Sequence, residues 1–273
     1  DWVVAGPGPG LDAALPRLVR GRDHYCLLAL APAVNRLLAA GLVPDVVATS
    51  DGGYAARLHL AGINLPRTAL VLPLFAAAGM ARAWSGPVLP VSQGTAFERM
   101  LVPDLPRVPE TPSVALFAFE VALACGAGRI VLAGLDFASL GGMVHARGYR
   151  FDDDARDHSS RVLPPERSLD ATYRRGDRQI DGWRCDPKFG LYRDGLLEAV
   201  ARSGRPVARI GTGPMLDALP DPGEFGAPVA LAVPVPVAAV CNPERLQQLL
   251  VALRDAEKGA AEKGDAAAMR RLI

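Results

Sequence analysis

The sequence predicts a doubly wound, mainly parallel α/β fold, and three observations carry that prediction. Short apolar runs lacking polar alternation recur along the chain, as expected of strands buried on both faces of a parallel sheet. Helical patterns separate them, the order that builds βαβ units. The first run, Trp2-Val3-Val4-Ala5, enters Gly6-Pro7-Gly8-Pro9-Gly10 and then an amphipathic helix with Leu11, Ala14, Leu15 and Leu18 on one face.

The elements follow in order. Residues 3–5 form the first strand. Residues 25–30 form the second, and a helix over 32–40 stops at Gly41. Val46-Val47-Ala48-Thr49 is the third strand and ends in Ser50-Asp51-Gly52-Gly53. Residues 69–72 make the fourth strand, 75–84 a helix and 88–91 the fifth strand. Thr111-Pro112-Ser113 starts a long apolar helix reaching Cys125. Residues 129–134 are the sixth strand. From 139 to 190 the chain is charged and aperiodic, with scattered aromatics, and reads as an ordered insertion over the site. A helix over 191–203 and a strand over 207–210 restore the pattern. Pro234 and Pro236 argue against an interior strand in 229–240. Asn242-Pro243-Glu244 caps a final helix, so the expected division is a domain over 1–240 and a helical extension over 241–273.

Composition narrows the function classes. The 273 residues are half hydrophobic and carry a formal charge of +1, which offers no global attraction for nucleic acid or an anionic membrane. Pro, Gly and Arg interrupt every apolar run before a membrane span is reached. The four cysteines, Cys26, Cys125, Cys185 and Cys241, form no Cys-x-x-Cys pair, so neither zinc nor a disulfide framework is expected. Cys26 and Cys125 read as core residues. With no signal peptide, the expected location is the cytoplasm. Asp1 opening directly onto a strand suggests a piece of a longer protein.

Ligands of open α/β sheets bind beyond the carboxyl ends of the strands. Four polar clusters fall at such ends. Gly6, Gly8 and Gly10 form a loop that can admit a phosphate at a helix N-terminus, although an ordinary βα turn has the same look. Asp51 can hold a ribose hydroxyl or Mg²⁺, or cap the next segment. Ser92, Gln93 and Thr95 offer neutral hydrogen bonds to a base or sugar, or form a helix cap. Asp136 follows the sixth strand at a place equivalent to Asp51. His145, in a Gly-rich loop, is a candidate general base and equally a surface histidine; His158 is a second candidate. Arg147, Arg150, Arg174 and Arg175 can offset phosphate charge. His24 and His59 read as structural. Asp152-Asp153-Asp154 reads as a solvated run.

These residues resemble a family. Gly6-Pro7-Gly8-Pro9-Gly10-Leu11 is similar to the G-x-G-P-S-L opening of the family that joins the motility accessory factors (Maf flagellin glycosyltransferases) with the MptE-like 6-hydroxymethylpterin diphosphokinases. Gly41-Leu42-Val43-Pro44-Asp45 through Asp51 is similar to its G-I-x-P-D…D. Ser113 through Gly126 is similar to its apolar helix. Gly134-Leu135-Asp136-Phe137-Ala138 with His145-Ala146-Arg147-Gly148 is similar to the Maf G-x-D-L-A…S-H-A-x-G. Two departures stand out: Gly10 replaces the usual Ser, and no Ser precedes His145.

The resemblance implies a Rossmann-like fold akin to bacterial sialyltransferases. For the Maf branch it implies a transferase that moves a nonulosonic acid from a CMP-activated donor to Ser or Thr of flagellin or a similar acceptor, with no firmly required cofactor. In that reading His145 is the base, Asp136 faces the sugar and Arg147 stabilises the departing phosphate. The alternative implied is a pyrophosphokinase using ATP and Mg²⁺ held by Asp51 and Asp136. A nucleotide-binding module without catalysis is the third reading.

Overall fold

The computed structural model describes residues 1–76, 78–166 and 178–226. The expectations for 229–240 and 241–273, and those for Tyr173, Arg174 and Arg175, lie outside the described residues.

Seven strands form one fully parallel sheet: β1 (Trp2–Ala5), β2 (Cys26–Leu30), β3 (Val46–Ala48), β4 (Ala69–Pro73), β5 (Val88–Val91), β6 (Ile130–Ala133) and, late in the chain, a strand at Val207–Ile210. Between β6 and that strand the chain makes β7 (Ser139–Leu140), β8 (Arg178–Ile180) and β9 (Trp183–Cys185), so the Val207–Ile210 strand is β10. The order is β10-β6-β1-β2-β3-β4-β5. Trp2 pairs with Cys26 on one side and Ile130 on the other.

Successive residues of each strand feed two separate cores, the expected result of a period of two. Val3, Leu27, Val47, Leu70 and Val131 pack with α1 (Leu11–Arg20) and α2 (Val34–Ala39) on one face. Val4, Leu28, Val46, Val71 and Leu132 pack on the other face with α5 (Val114–Ala124) and α7 (Pro187–Ser203). The helices between are α3 (Ala78–Ala83), α4 (Ala96–Leu101) and α6 (Arg150–Asp157). Helix α5 is apolar almost all round because α7 lies over it. Its one buried acid, Glu120, accepts a hydrogen bond at 2.7 Å from Arg202 of α7. Ser113 caps α5, its Oγ accepting the Leu116 amide.

The structure departs from expectation in three places. The 139–190 segment contains regular structure: β7, β9 and β8 form a small antiparallel sheet, and Asp181 and Gly182, both at positive φ, make a two-residue hairpin. Helix α7 begins at Pro187, four residues earlier than its apolar pattern suggested, because Asp186 caps it. Cys125 is exposed rather than in the core, since it sits at the C-cap of α5.

Candidate active site

Because all seven strands run parallel, their carboxyl ends share one edge. β2 to β5 lie on one side of β1, and β6 and β10 on the other. The winding therefore reverses between β1 and β6, where crevices for ligands form. The loops after those two strands are Gly6–Gly10 and Gly134–Asp136, and they are tied together. The Gly8 amide donates to the Gly134 carbonyl at 2.7 Å, and the Gly10 amide donates to Asp136 Oδ2 at 2.7 Å.

The anion at the N-terminus of α1 is thus the carboxylate of Asp136. Three glycines from two loops make room for it. A Cβ on Gly8 or Gly10 would collide with the Asp136 carboxylate, and one on Gly213 would lie 2.9 Å from its Oδ1. The close approach that these glycines allow is made here by the chain itself, at the spot the sequence reading offered to a phosphate. Asp136 is 7% exposed, and burial pushes its carboxyl up to about 6 against the pull of the Gly10 amide and the Arg209 charge. The next residue, Phe137, is held at φ 50°, a strained conformation for a bulky side chain beside a functional candidate.

Asp51 follows β3 and is exposed, with its Oδ1 accepting the Gly53 amide at 2.7 Å. β1 and β2 separate β3 from β6, which puts the two strand ends about 14 Å apart at ~4.8 Å per strand. Asp51 and Asp136 are therefore not brought together as one metal site. Among the described residues no group of three or more His, Cys, Asp or Glu is placed to hold a metal. Ser92 and Thr95 act on the protein. Glu98 of α4 accepts from Ser92 Oγ, the Gln93 amide and Thr95, whose hydroxyl in turn caps α4. Gln93 differs: both atoms of its buried side-chain amide lack a partner among the described residues.

The segment after β7 crosses these strand ends. The Ala146 amide donates to Pro7 of the glycine loop at 2.6 Å. Next to it, the His145 ring stacks on Tyr149 with centroids 3.6 Å apart and planes 14° from parallel. Behind Tyr149 lies His59, from the short helical turn after β3, 5.2 Å from Tyr149 and 4.7 Å from Phe151. His145 and Tyr149 line a cavity of about 310 Å³ with Met143, Asp152, Arg156 and Glu166. Burial and the neighbouring His59 lower the His145 pKa to about 4, so the ring is neutral near pH 7. Arg147 is exposed and is not among the cavity residues, and Arg150 is exposed. His158 is exposed, its Nδ1 2.8 Å from the Asp154 carbonyl.

In sequence His59 reads as structural and Asp152 as part of a solvated run, and neither Tyr149 nor Glu166 stands out as a site residue. Tyr149 and Phe151 flanking Arg150 were visible as aromatics, but nothing local to His59 tells that this segment covers it.

Comparison with known proteins agrees with this architecture. A solved structure, the Maf glycosyltransferase from Magnetospirillum magneticum AMB-1, superposes with a TM-score of 0.55 at 14% identity, over 92% of this chain and 37% of that one. The chain thus spans little more than a third of that enzyme's length. The 6-hydroxymethyl-7,8-dihydropterin pyrophosphokinase of Methanothermobacter thermautotrophicus (strain Delta H) is 29% identical over 201 residues, covering 67% of this chain and 78% of that protein. The family model described as 6-hydroxymethylpterin diphosphokinase MptE-like matches residues 1–142, which hold the glycine loop, Asp51 and Asp136. On that match the chain belongs to the MptE-like family.

Proposed function

We propose that this protein is a transferase that moves an activated group from a nucleotide donor to an acceptor hydroxyl, with His145 as the general base. The observation that carries the reading is a neutral imidazole on the wall of a 310 Å³ cavity, in a segment hydrogen-bonded to the β1 loop. A base must be unprotonated and within reach of the hydroxyl it serves. A pKa of about 4 makes His145 a weak base in the free protein. A donor phosphate nearby favours the imidazolium and moves the value up. Asp152 and Glu166 also line the cavity, and Arg156 is paired with Asp153 at 2.9 Å. Carboxylates repel phosphate and accept hydrogen bonds from hydroxyl groups, so the cavity suits the acceptor, leaving the donor's phosphate to the strand ends outside it.

The leading donor in this proposal is a CMP-activated nonulosonic acid, with a Ser or Thr hydroxyl of a flagellin-type protein as acceptor. The acceptor oxygen bonds to the sugar's anomeric carbon, its proton passes to His145, and the bond to the CMP phosphate breaks. The fold shared with the Maf glycosyltransferase and the His145-Ala146-Arg147-Gly148 motif support it. A second reading rests on the pyrophosphokinase relative: the hydroxyl attacks the β-phosphorus of ATP and AMP leaves. Its magnesium ion is not assigned to a shared Asp51–Asp136 site, because the fold separates the two.

The test is to offer the protein each donor and acceptor pair, with and without Mg²⁺, and to repeat the productive reaction with His145→Ala. The expected result is sugar transfer from the CMP donor, reduced about 10²–10⁴-fold in the variant with donor affinity unchanged. AMP formation from ATP and a hydroxymethylpterin would establish the second reading. Full turnover by His145→Ala would remove His145 from the proposal.

A further inference from the structure

We propose that His59 is a positioning residue for His145, acting through the ring of Tyr149; the inference rests on the reading of His145 as the base. Tyr149 touches both histidines. His145 lies flat on it at 3.6 Å, and His59 packs against it at 5.2 Å while meeting the edge of Phe151 at 4.7 Å. Tyr149 and Phe151 also contact each other, with centroids 5.6 Å apart. The segment bearing His145 thus reaches two supports. One is the backbone bond from Ala146 to Pro7 beside β1, and the other is the ring contact with His59 beyond β3. The first fixes the backbone next to His145. The second fixes the plane on which its ring rests.

A further observation sets His59 apart from a packing residue. It is 5% exposed, and its Nδ1 is buried without a hydrogen-bond partner among the described residues. Leaving a buried ring nitrogen unpaired forfeits its hydrogen bonds to water with nothing in return. A phenylalanine would fill the same aromatic niche with no such loss, so packing alone does not account for a histidine here. The ring nitrogens have an electrostatic use. Burial lowers the pKa of His59, with Asp51 opposing it, and His59 lowers that of His145. The other groups around His145 are Tyr149 beneath it and Asp152, Arg156 and Glu166 across the cavity. Two histidines within one field resist taking up two protons, which couples the titration of His145 to that of His59.

Two variants separate the ring's contact from its nitrogens. His59→Ala removes both, and His59→Phe keeps the brace alone. Two-dimensional NMR of the unliganded protein follows the His145 ring through pH. The expected result is a His145 titration displaced to higher pH in both variants, and an altered His145 ring shift only in His59→Ala. In the transfer assay His59→Ala lowers kcat roughly 10–100-fold, the scale of a misplaced catalytic group. The donor KM stays within about twofold and His59→Phe restores most of kcat. A His145 titration and ring shift identical to the unmodified protein in both variants would overturn the inference, whether or not activity is found. So would a loss of kcat tracking a loss of thermal stability that His59→Phe fails to recover. A displaced titration without any transfer reaction would sink the transferase reading and leave the coupling of the two histidines standing.

Discussion

Replacing Gly10 with alanine adds one methyl group where the three nearest heavy atoms all belong to Asp136, two of them at 3.0 Å and one closer. Backbone strain is not the issue, because Gly10 has φ −69° and ψ −11°, which alanine adopts freely. On conformational grounds alone the change stabilises by about 0.4–1 kcal/mol. Against that, the methyl displaces the carboxylate and breaks its bond to the Gly10 amide. Hydrogen bonds to charged groups contribute about 1.5–3 kcal/mol, and overpacking a tight site costs about 1–3 kcal/mol. The net expectation is a loss of about 2–4 kcal/mol, read as a lower urea midpoint at constant m. In an Asp136→Ala background the obstructing atoms are gone, so Gly10→Ala should be neutral or slightly stabilising. The double-mutant cycle then gives a coupling of at least about 2–4 kcal/mol. Additivity within about 0.5 kcal/mol would show that Gly10 and Asp136 do not meet in solution. A neutral Gly10→Ala that abolished nucleotide binding would show that the space belongs to the ligand instead.

Asp136 also makes stability depend on pH. Its folded pKa of about 6 lies above the ordinary aspartate value of 3.8. The protonated form is therefore favoured by folding. That contribution is complete below pH 3.8 and is lost as pH rises through about 6, for a total of about 3 kcal/mol. Asp136→Asn cannot titrate, so the difference in unfolding free energy between it and the parent should move by that order between pH 4 and 7. A pH-independent difference would place the carboxylate in water. Asp51→Ala should lose about 1 kcal/mol with the Gly53 turn bond and leave the circular dichroism spectrum unchanged. Turnover should fall, because Asp51 lies in the field of both His59 and Tyr149. Wild-type nucleotide affinity and turnover in that variant would strip Asp51 of any role in the site.

The frame of the molecule was legible in local pattern. Short continuous apolar runs bounded by turn signals, such as Cys26-Leu27-Leu28-Ala29-Leu30, suit strands covered on both faces, and Ser113 and Gly41 mark helix ends by capping chemistry that acts within a few residues. Strands of that kind, separated by helices, require parallel pairing. Parallel pairing in turn sends Gly6–Gly10, Asp51, Ser92 and Asp136 to one edge. The Asp181-Gly182 hairpin was just as local, and was obscured only by the charged stretch around it.

Which partner each polar group takes was decided by tertiary structure alone. Asp136 meets Gly10 across 126 residues of sequence, and only their packing shows that the glycines receive a carboxylate. Thr95 exchanges hydrogen bonds with Glu98, which removes Thr95 from the free groups of the site, while Glu98 Oε1 and the Gln93 side-chain amide are buried without a partner among the described residues. His59 gains its contact with Tyr149 because β3 and the segment after β7 end at the same edge. Periodicity and capping act over one or two turns of chain, so a sequence states them directly. A side chain's partner is chosen by the energy of filling one space among elements far apart in the chain, and that space exists only once the sheet has formed.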